Sequence, residues 1–242
     1  MIMIIKIRKV LKKILTTYIL PQMQLSYSQF GEDLIMHFFF RQHGIEHPTY
    51  LDIGANEPRF LSNTFYFYQR NAKGILIEPN PYLIKKIRSQ RPRDIVINTG
   101  VGVSEEHEAD YYIFPNHENG FNTFSKKDAM HWENVGEKSR GKIKVKEVIK
   151  MSIVHVNSIL EKYFPEKAPD FISLDVEGLD LEILKSMDFD KYRPKLICVE
   201  TMRYDENQNH YKTNEITEFM IGKNYFVYGD TYVNTIYCKN DL

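Results

Sequence analysis

Cysteine is scarce in this chain, whose 242 residues include only Cys198 and Cys238. Both lie in apolar, strand-like stretches, so the sequence indicates neither a disulfide framework nor a cysteine metal site, and it favours a reducing, cytoplasmic location. Long hydrophobic runs are also missing, and none approaches the ~18 residues of a membrane-spanning helix. Basic residues interrupt every apolar run near the N-terminus, which is not the pattern of a secretory signal.

Net charge is absent as well, since 32 Lys and Arg residues balance 32 Asp and Glu residues. A balanced chain has no overall field that attracts nucleic acid, so a nucleic-acid partner is not expected. Hydrophobic residues make up 43% of the sequence, which is enough for a substantial core at this length. The sequence therefore predicts one domain over residues 22–242, preceded by a basic segment over residues 1–21.

Two glycine motifs that bind phosphate groups are missing. Dinucleotide sites use G-x-G-x-x-G, whereas the residues after Gly54 include Asn56, Pro58 and Phe60 and no early second glycine. The phosphate loop G-x-x-x-x-G-K-[ST] does not occur either. A cofactor that carries a ribose but no phosphates, such as S-adenosylmethionine, therefore fits better than a nicotinamide dinucleotide.

Short apolar runs alternate with helical patterns along much of the chain. The runs predict strands at 49–53, 74–78, 94–98, 170–174 and 195–200, with helices at 34–41, 62–70, 82–90 and 179–185 between or before them. This alternation predicts an α/β fold with parallel strands and right-handed crossovers. A helix at 215–223 and a hairpin of 225–228 with 232–238, joined at Gly229-Asp230, complete the chain.

The alternation is lost over about residues 104–168, which we interpret as an insertion. It predicts a strand at 111–114, an irregular part at 115–140, an antiparallel pair near 142–148 and 150–156, and a helix at 158–163. Aromatic and amide side chains resemble a carbohydrate-binding lining, although packing of the insertion explains them as well. These side chains are Tyr111, Tyr112, Phe114, Asn116, Asn119, Phe121, Asn122 and Trp132.

The first 21 residues contain five basic side chains and no acidic one. Apolar and basic positions recur at helical spacing up to Pro21, so the segment predicts an amphipathic helix. Two roles remain open. The helix could contact an anionic membrane at its inner face, near a lipid-linked substrate, or it could pack on its own domain or a neighbouring subunit.

Four of the predicted strands have an acidic residue at or next to their carboxyl end: Asp52, Glu78, Asp175 and Glu200. The carboxyl ends of parallel strands meet at one edge of the sheet, where ligands bind, and Glu78 is placed to accept ribose hydroxyls. Strand-end acids can also hold a divalent cation or take a proton. A simpler interpretation is that Asp175 or Glu177 caps the helix after Leu179.

At these positions the chain resembles the FkbM family of S-adenosylmethionine-dependent methyltransferases. The segments that carry the resemblance lie in order over about residues 26–200: SQFGED at 28–33, LDIGAN at 51–56, SNT at 62–64, IEPNP at 77–81, NTGVG at 98–102, ISLDVEG at 172–178 and CVE at 198–200. Pro58 departs from this pattern, because many relatives have a second glycine there.

The resemblance implies a Rossmann-like class I methyltransferase fold, a seven-stranded, mostly parallel sheet with an antiparallel last strand. It also implies O-methylation of a hydroxyl on a sugar, glycan or related small molecule. Its implied cofactor residues include Asp52, Gly54, Ala55 and Asn56 for the methionine portion and Glu78 with Pro79 for the ribose. They also include Asn80, Gly100 and Val101 around the adenine. Gln29 and Glu32 would close over the cofactor from the N-terminal side, and Asp175 would face its amino group or its reactive methyl.

Deprotonation of the acceptor hydroxyl is the remaining chemical requirement. Asp175 and Glu200 are candidate catalytic residues, either as bases or as ligands of a Mg²⁺ ion that lowers the pKa of the hydroxyl. His155 and His131 are alternative bases. A nicotinamide-dependent sugar oxidoreductase and a non-catalytic domain that binds a nucleoside or a partner remain alternatives to the methyltransferase.

Overall fold

The computed structural model describes residues 24–103, 107–115, 120–135, 143–176, 178–204 and 210–242, together with the single positions 10 and 14. The predicted basic helix therefore lies almost entirely outside the described residues. The same holds for the predicted lining residues Asn116 and Asn119 and for the predicted cap Glu177.

The described helices are α1 (Glu32–Gln42), α2 (Phe65–Tyr68), α3 (Pro81–Gln90), α4 (Lys126–Val135), α5 (Val156–Tyr163), α6 (Asp180–Ser186) and α7 (Glu215–Gly222). The described strands are β1 (Tyr50–Ile53), β2 (Gly74–Ile77), β3 (Ile95–Ile97), β4 (Gly100–Gly102), β5 (Glu108–Ile113), β6 (Glu147–His155), β7 (Phe171–Leu174), β8 (Leu196–Glu200), β9 (Met202–Tyr204), β10 (His210–Lys212), β11 (Tyr225–Asp230) and β12 (Asn234–Lys239).

Seven strands form the central sheet in the order β11-β12-β8-β7-β1-β2-β3. The five strands from β8 to β3 are parallel, and β12 runs antiparallel to both of its neighbours. The predicted fold class, a mostly parallel seven-stranded sheet with an antiparallel last strand, is confirmed. The chain leaves β1 first toward β3 and later toward β8, so the order reverses between β1 and β7, where open α/β sheets bind ligands.

Apolar side chains cover both faces of this sheet. Leu51 and Ile53 of β1 pack in one core with residues of α5, α6 and α7, whereas Tyr50 packs in a second core with residues of α1 and α3. Alternate residues of a strand point to opposite faces, so a strand buried on both faces must be apolar throughout or satisfy its polar groups internally. This requirement explains why the strands were recognisable as continuous apolar runs.

A second sheet of three strands, β4-β6-β5, stands beside the end of β3. The predicted antiparallel pair at 142–148 and 150–156 is wrong: β6 is one continuous strand, antiparallel to β5 and parallel to β4. Its partner strands lie far away in sequence, so local periodicity could not assign them. Helix α4 forms within the stretch predicted to be irregular, whereas the predicted strand at 111–114 and helix at 158–163 are confirmed.

Two other local predictions need correction. The predicted helix at 62–70 shortens to α2, because the Ser62 hydroxyl accepts a hydrogen bond from the backbone N–H of Phe65 (3.2 Å) and Asn71 has a left-handed φ of 68°. The C-terminal hairpin is present, but Gly229 and Asp230 belong to β11. Its register shifts between Val227 and Gly229, which moves the turn later. No described helix is long and apolar enough to cross a membrane.

Candidate active site

A cleft lies at the carboxyl ends of β7, β1, β2 and β3, with about 610 Å³ of free space that opens to solvent. Seven of the predicted site residues line it: Gly54, Asn56, Glu78, Pro79, Gly100, Val101 and Asp175. The other lining residues are Ile53, Ile77, Thr99, Tyr111, Gly120, Asn122, Phe124 and Val176.

Gly54 forms the floor of the cleft where β1 ends. Its φ is +86°, and an added Cβ atom would lie 1.8 Å from the backbone oxygen of Asp175. Its backbone N–H donates to the Ile77 carbonyl (3.0 Å), as does that of Ala55, which is buried and does not line the cleft. A side chain at position 54 is therefore excluded both by backbone conformation and by space.

Glu78 is the most firmly held acid of the cleft. Its carboxylate accepts one hydrogen bond from the backbone N–H of Asn56 and one from that of Asn80, both at 2.7 Å. A carboxylate has about four acceptor positions, so about two remain for a ligand. Burial raises the pKa of Glu78 to about 7, against the lowering effect of the two N–H groups. The Asn56 Oδ1 atom is buried and has no partner within the described part of the protein.

The three-stranded sheet and the segment between β5 and α4 form the opposite wall. The Phe124 ring packs against Gly100, and a Cβ atom added to Gly100 would lie 2.5 Å from the Cζ atom of Phe124. The centroid of the Phe124 ring lies 4.6 Å from that of the Tyr111 ring. Asn122 is buried, and its Oδ1 atom accepts from the backbone N–H of Phe114 (2.8 Å). Tyr111 and Asn122 were predicted to line an acceptor site, whereas no spacing signal identified Phe124.

An acidic cluster adjoins the cleft at the ends of β7 and β8. Asp175 is exposed to the cleft, and its pKa rises to about 7 because desolvation by the surrounding protein and the Asp180 charge disfavour its ionised form. Burial and the Asp175 charge also raise the pKa of Glu200, which does not itself line the cleft. Arg203 contacts Asp180 (3.0 Å) and Glu200 (3.5 Å), so one guanidinium partly neutralises the cluster.

The predicted Mg²⁺ site does not fit this arrangement. No three His, Cys, Asp or Glu side chains among the described residues are placed to hold a metal ion. The guanidinium of Arg203 already faces Glu200, which is one of the two predicted ligands. We therefore derive no catalytic step through a metal.

Two predicted cofactor residues beside the cleft make structural contacts instead of lining it. Asp52 is buried, and its carboxylate accepts a hydrogen bond from the Thr64 hydroxyl (2.6 Å). The Asn80 side chain caps α3 by accepting from the Tyr82 backbone N–H (3.0 Å). Asn80 still helps to position a cleft residue, because its backbone N–H donates a hydrogen bond to the Glu78 carboxylate.

Two further predicted residues lie before the first strand. Gln29 is exposed and does not line the cleft. Glu32 is fully buried, and its carboxylate accepts hydrogen bonds from Thr231 (2.7 Å) and Asn234 (2.9 Å) at the turn between β11 and β12. In this structure Glu32 ties the start of α1 to the antiparallel edge of the sheet.

The histidines predicted as bases have other surroundings. His155 is the N-cap of α5, with its Nδ1 atom accepting from the Asn157 backbone N–H (3.2 Å). His131 lies on α4 with its ring centroid 5.3 Å from that of Trp132. Neither histidine lines the cleft, so Asp175 is the predicted catalytic residue that faces it.

Comparison with known proteins gives one family match. A family model described as the methyltransferase FkbM domain matches residues 52–228. None of the curated proteins matches the chain significantly.

Among solved structures, the chain is similar to the 1,6-didemethyltoxoflavin N1-methyltransferase of Burkholderia thailandensis. The two are 10% identical, with 87% of this chain and 79% of that chain covered and a TM-score of 0.41. It is also similar to a proposed O-methyltransferase of Klebsiella pneumoniae, with 12% identity, coverage of 91% and 83%, and a TM-score of 0.41.

Proposed function

The chain belongs to the methyltransferase FkbM domain family, and we propose that it is an S-adenosylmethionine-dependent O-methyltransferase acting on a hydroxyl of a sugar, glycan or related small molecule. The observation that carries the proposal is the Glu78 carboxylate, clamped by two backbone N–H groups on the wall of the cleft. About two acceptor positions of the carboxylate remain for a ligand, enough to accept from both hydroxyls of a diol. Ribose supplies such a diol.

The cleft residues fit an adenosyl cofactor without phosphates. Gly54 lets a ligand approach the end of β1, and the unpartnered Oδ1 of Asn56 offers a buried acceptor to an ammonium or hydroxyl group. Among the described residues, no Lys or Arg side chain lines the cleft, whereas a pyrophosphate site would favour such a side chain. When bound, S-adenosylmethionine supplies a methyl group made electrophilic by its positively charged sulfur.

The position and the pKa of Asp175 support its assignment as the general base. It faces the cleft from the end of β7, next to Gly54, and its pKa of about 7 matches proton removal near neutral pH. We assign it to accept the proton of the acceptor hydroxyl, which would make that oxygen a better nucleophile toward the methyl group. Glu200 and Arg203 would then set the charge around Asp175 without touching the substrate.

Thermal unfolding tests the cofactor. S-Adenosylmethionine and S-adenosylhomocysteine should both raise the melting temperature, because a ligand at 100 times its Kd adds about 2.7 kcal/mol of stability. NAD at the same concentration should leave it unchanged. If neither adenosyl compound shifts the transition, the proposed function is wrong.

Transfer of a labelled methyl group tests the reaction. The protein is incubated with methyl-labelled S-adenosylmethionine and a panel of sugar nucleotides, oligosaccharides and lipid-linked sugars. A methyl ether keeps its label in mild alkali, whereas a methyl ester loses it, and an N-methyl product follows only from an acceptor with an amine. Label that is found on amines or esters alone would contradict O-methylation of a hydroxyl.

A lipid-linked acceptor would also give the basic segment a role. Lys6, Arg8, Lys9, Lys12 and Lys13 precede the domain with no acidic residue among them, a composition that is attracted to anionic lipid. We propose that this segment brings the protein to the cytoplasmic membrane surface, where such acceptors reside.

A further inference from the structure

Asn122 presents one free hydrogen-bond donor to the cleft. Its Oδ1 atom is occupied by the backbone N–H of Phe114, at 2.8 Å, and no acceptor for its Nδ2 atom lies among the residues that the structure describes. The residue is only 9% exposed, and this exposure is to the cleft that it lines. This donor is open to the cleft, so a ligand that supplies an acceptor can take a hydrogen bond from it.

The order of the strand ends indicates which part of the cofactor meets Asn122. Asp175, Gly54, Glu78 and Thr99 follow β7, β1, β2 and β3, which are consecutive strands of the sheet. Neighbouring strands are about 4.8 Å apart. If Glu78 holds the ribose, the methionine portion extends toward β1 and β7, and the base extends one strand further, beyond Thr99.

The wall around that end of the cleft suits a flat aromatic base. Phe124 and Tyr111 present rings there, with the Phe124 ring packed against Gly100, and Pro79 and Val101 also line the cleft. The segment that carries Asn122 is held in place by a pair of backbone hydrogen bonds between Tyr112 and Thr123, at 2.9 and 3.2 Å. Asn122 is therefore a fixed group and not a loop residue that could turn away.

We propose that Asn122 Nδ2 donates a hydrogen bond to a ring nitrogen of the adenine and selects for that base. This inference rests on the proposed function, because it takes Glu78 to hold the ribose of an adenosyl cofactor. It gives the segment between β5 and α4 a role in recognising the base of the cofactor, in addition to any contact with the acceptor.

The matched variant is Asn122→Asp, which keeps an oxygen for the Phe114 N–H but replaces the Nδ2 donor with an acceptor. Calorimetric Kd values are measured for S-adenosylhomocysteine and its 1-deaza, 3-deaza and 7-deaza analogues, with both the wild-type protein and the variant. We expect one deaza analogue to bind the wild type about tenfold more weakly than the parent compound, the effect of one lost hydrogen bond. Against the variant, the same analogue should bind as well as the parent compound.

The outcomes separate the two proposals. If the wild type binds S-adenosylhomocysteine but none of the three analogues is weaker, or if their affinity ratios are the same in the variant, the role of Asn122 is refuted and the proposed function stands. If the wild type does not bind S-adenosylhomocysteine, both fail. Circular dichroism and the melting temperature report whether the variant folds, and a wild-type series in which no analogue is weaker would refute the role of Asn122 even without the variant.

Discussion

Glu78 and Asp175 are both acids whose pKa is raised to about 7, yet their surroundings suit different tasks. Glu78 is held by two backbone N–H groups and cannot move, which favours recognition of a ligand. Asp175 is exposed to the cleft, and the charge of Asp180 opposes its ionisation. The two acids share a raised pKa, so it is the exposure of Asp175 to the cleft that favours a role in taking a proton from a substrate.

Replacing Glu78 with alanine should weaken the binding of S-adenosylhomocysteine. A hydrogen bond to a charged group contributes ~1.5 to 3 kcal/mol, so Kd should rise by about 10- to 150-fold in calorimetry. Glu161→Ala is the control, because Glu161 lies in an exposed ion pair with Lys191 and does not line the cleft. Equal affinity of the Glu78→Ala variant and the wild type would show that Glu78 does not hold the ribose.

Replacing Asp175 with asparagine should lower kcat by about 10²- to 10⁴-fold, the usual contribution of a general base. The base acts as the carboxylate, so wild-type kcat/KM should rise with pH through about 7, the pKa of Asp175, and then level off. The variant should lose this dependence. Asp110→Asn, which breaks an exposed ion pair with Lys150, is the control. An Asp175→Asn variant that kept the wild-type pH profile would assign the titration to another group.

At the scale of elements, the carboxyl ends of the strands are tied to one another by backbone hydrogen bonds. Asp175 N–H donates to Ile53 O (3.0 Å), and Glu78 N–H donates to Ile97 O (3.1 Å). The loops that follow β7, β1, β2 and β3 thus start from fixed positions. Groups placed on such a rigid frame keep their geometry without ligand, which lowers the cost of ordering them on binding.

The basic segment allows a prediction at the same scale. Deleting residues 1–20 should leave the affinity for S-adenosylhomocysteine unchanged, since every described residue that lines the cleft comes after residue 50. It should reduce sedimentation with vesicles that contain anionic lipid, because each basic residue near such a surface contributes about 1 kcal/mol. Neutral vesicles are the control. Equal sedimentation of both proteins with anionic vesicles would remove the proposed membrane contact.

At the scale of the whole molecule, the buried acids of the cleft make stability depend on pH. The pKa of Glu78 is about 7 in the folded protein against an ordinary value of 4.5, so the folded state holds this proton more tightly than the unfolded state. The stability that this tighter proton binding contributes to the folded state is fully present below pH 4.5, and it is lost as the pH rises through 7. The loss amounts to about 3 kcal/mol at most.

The unliganded protein should therefore become less stable toward urea between pH 5 and pH 8. Glu78→Gln removes the titrating group, so its free energy of unfolding should change less over this range than that of the wild type. Both proteins are measured under the same ionic strength. An equally steep decline in the variant would mean that other groups, such as Asp175 or Glu200, produce the dependence.

Much of the fold could be predicted because its signals are local. A strand covered on both faces must be apolar along its length, so β1, β2, β7 and β8 stood out as runs, and helices between them implied parallel pairing. The loops at 54–56, 78–80 and 99–101 were found for a related reason, since residues that follow a strand directly share its edge of the sheet. The long pairing of β5 with β6 was missed, because nothing local encodes a partner so distant in the chain.

The sequence alone determined the α/β class and the positions of the strand ends, and it favours an adenosyl ligand over a dinucleotide. These follow from short-range patterns: apolar periodicity, turn residues and missing glycines. Only the tertiary structure decided that Asp175 faces the cleft while Asp52, Glu32 and His155 bond elsewhere, and that Asn122 and Phe124 form its wall. Where a side chain points depends on what packs against it, and those neighbours come from distant parts of the chain.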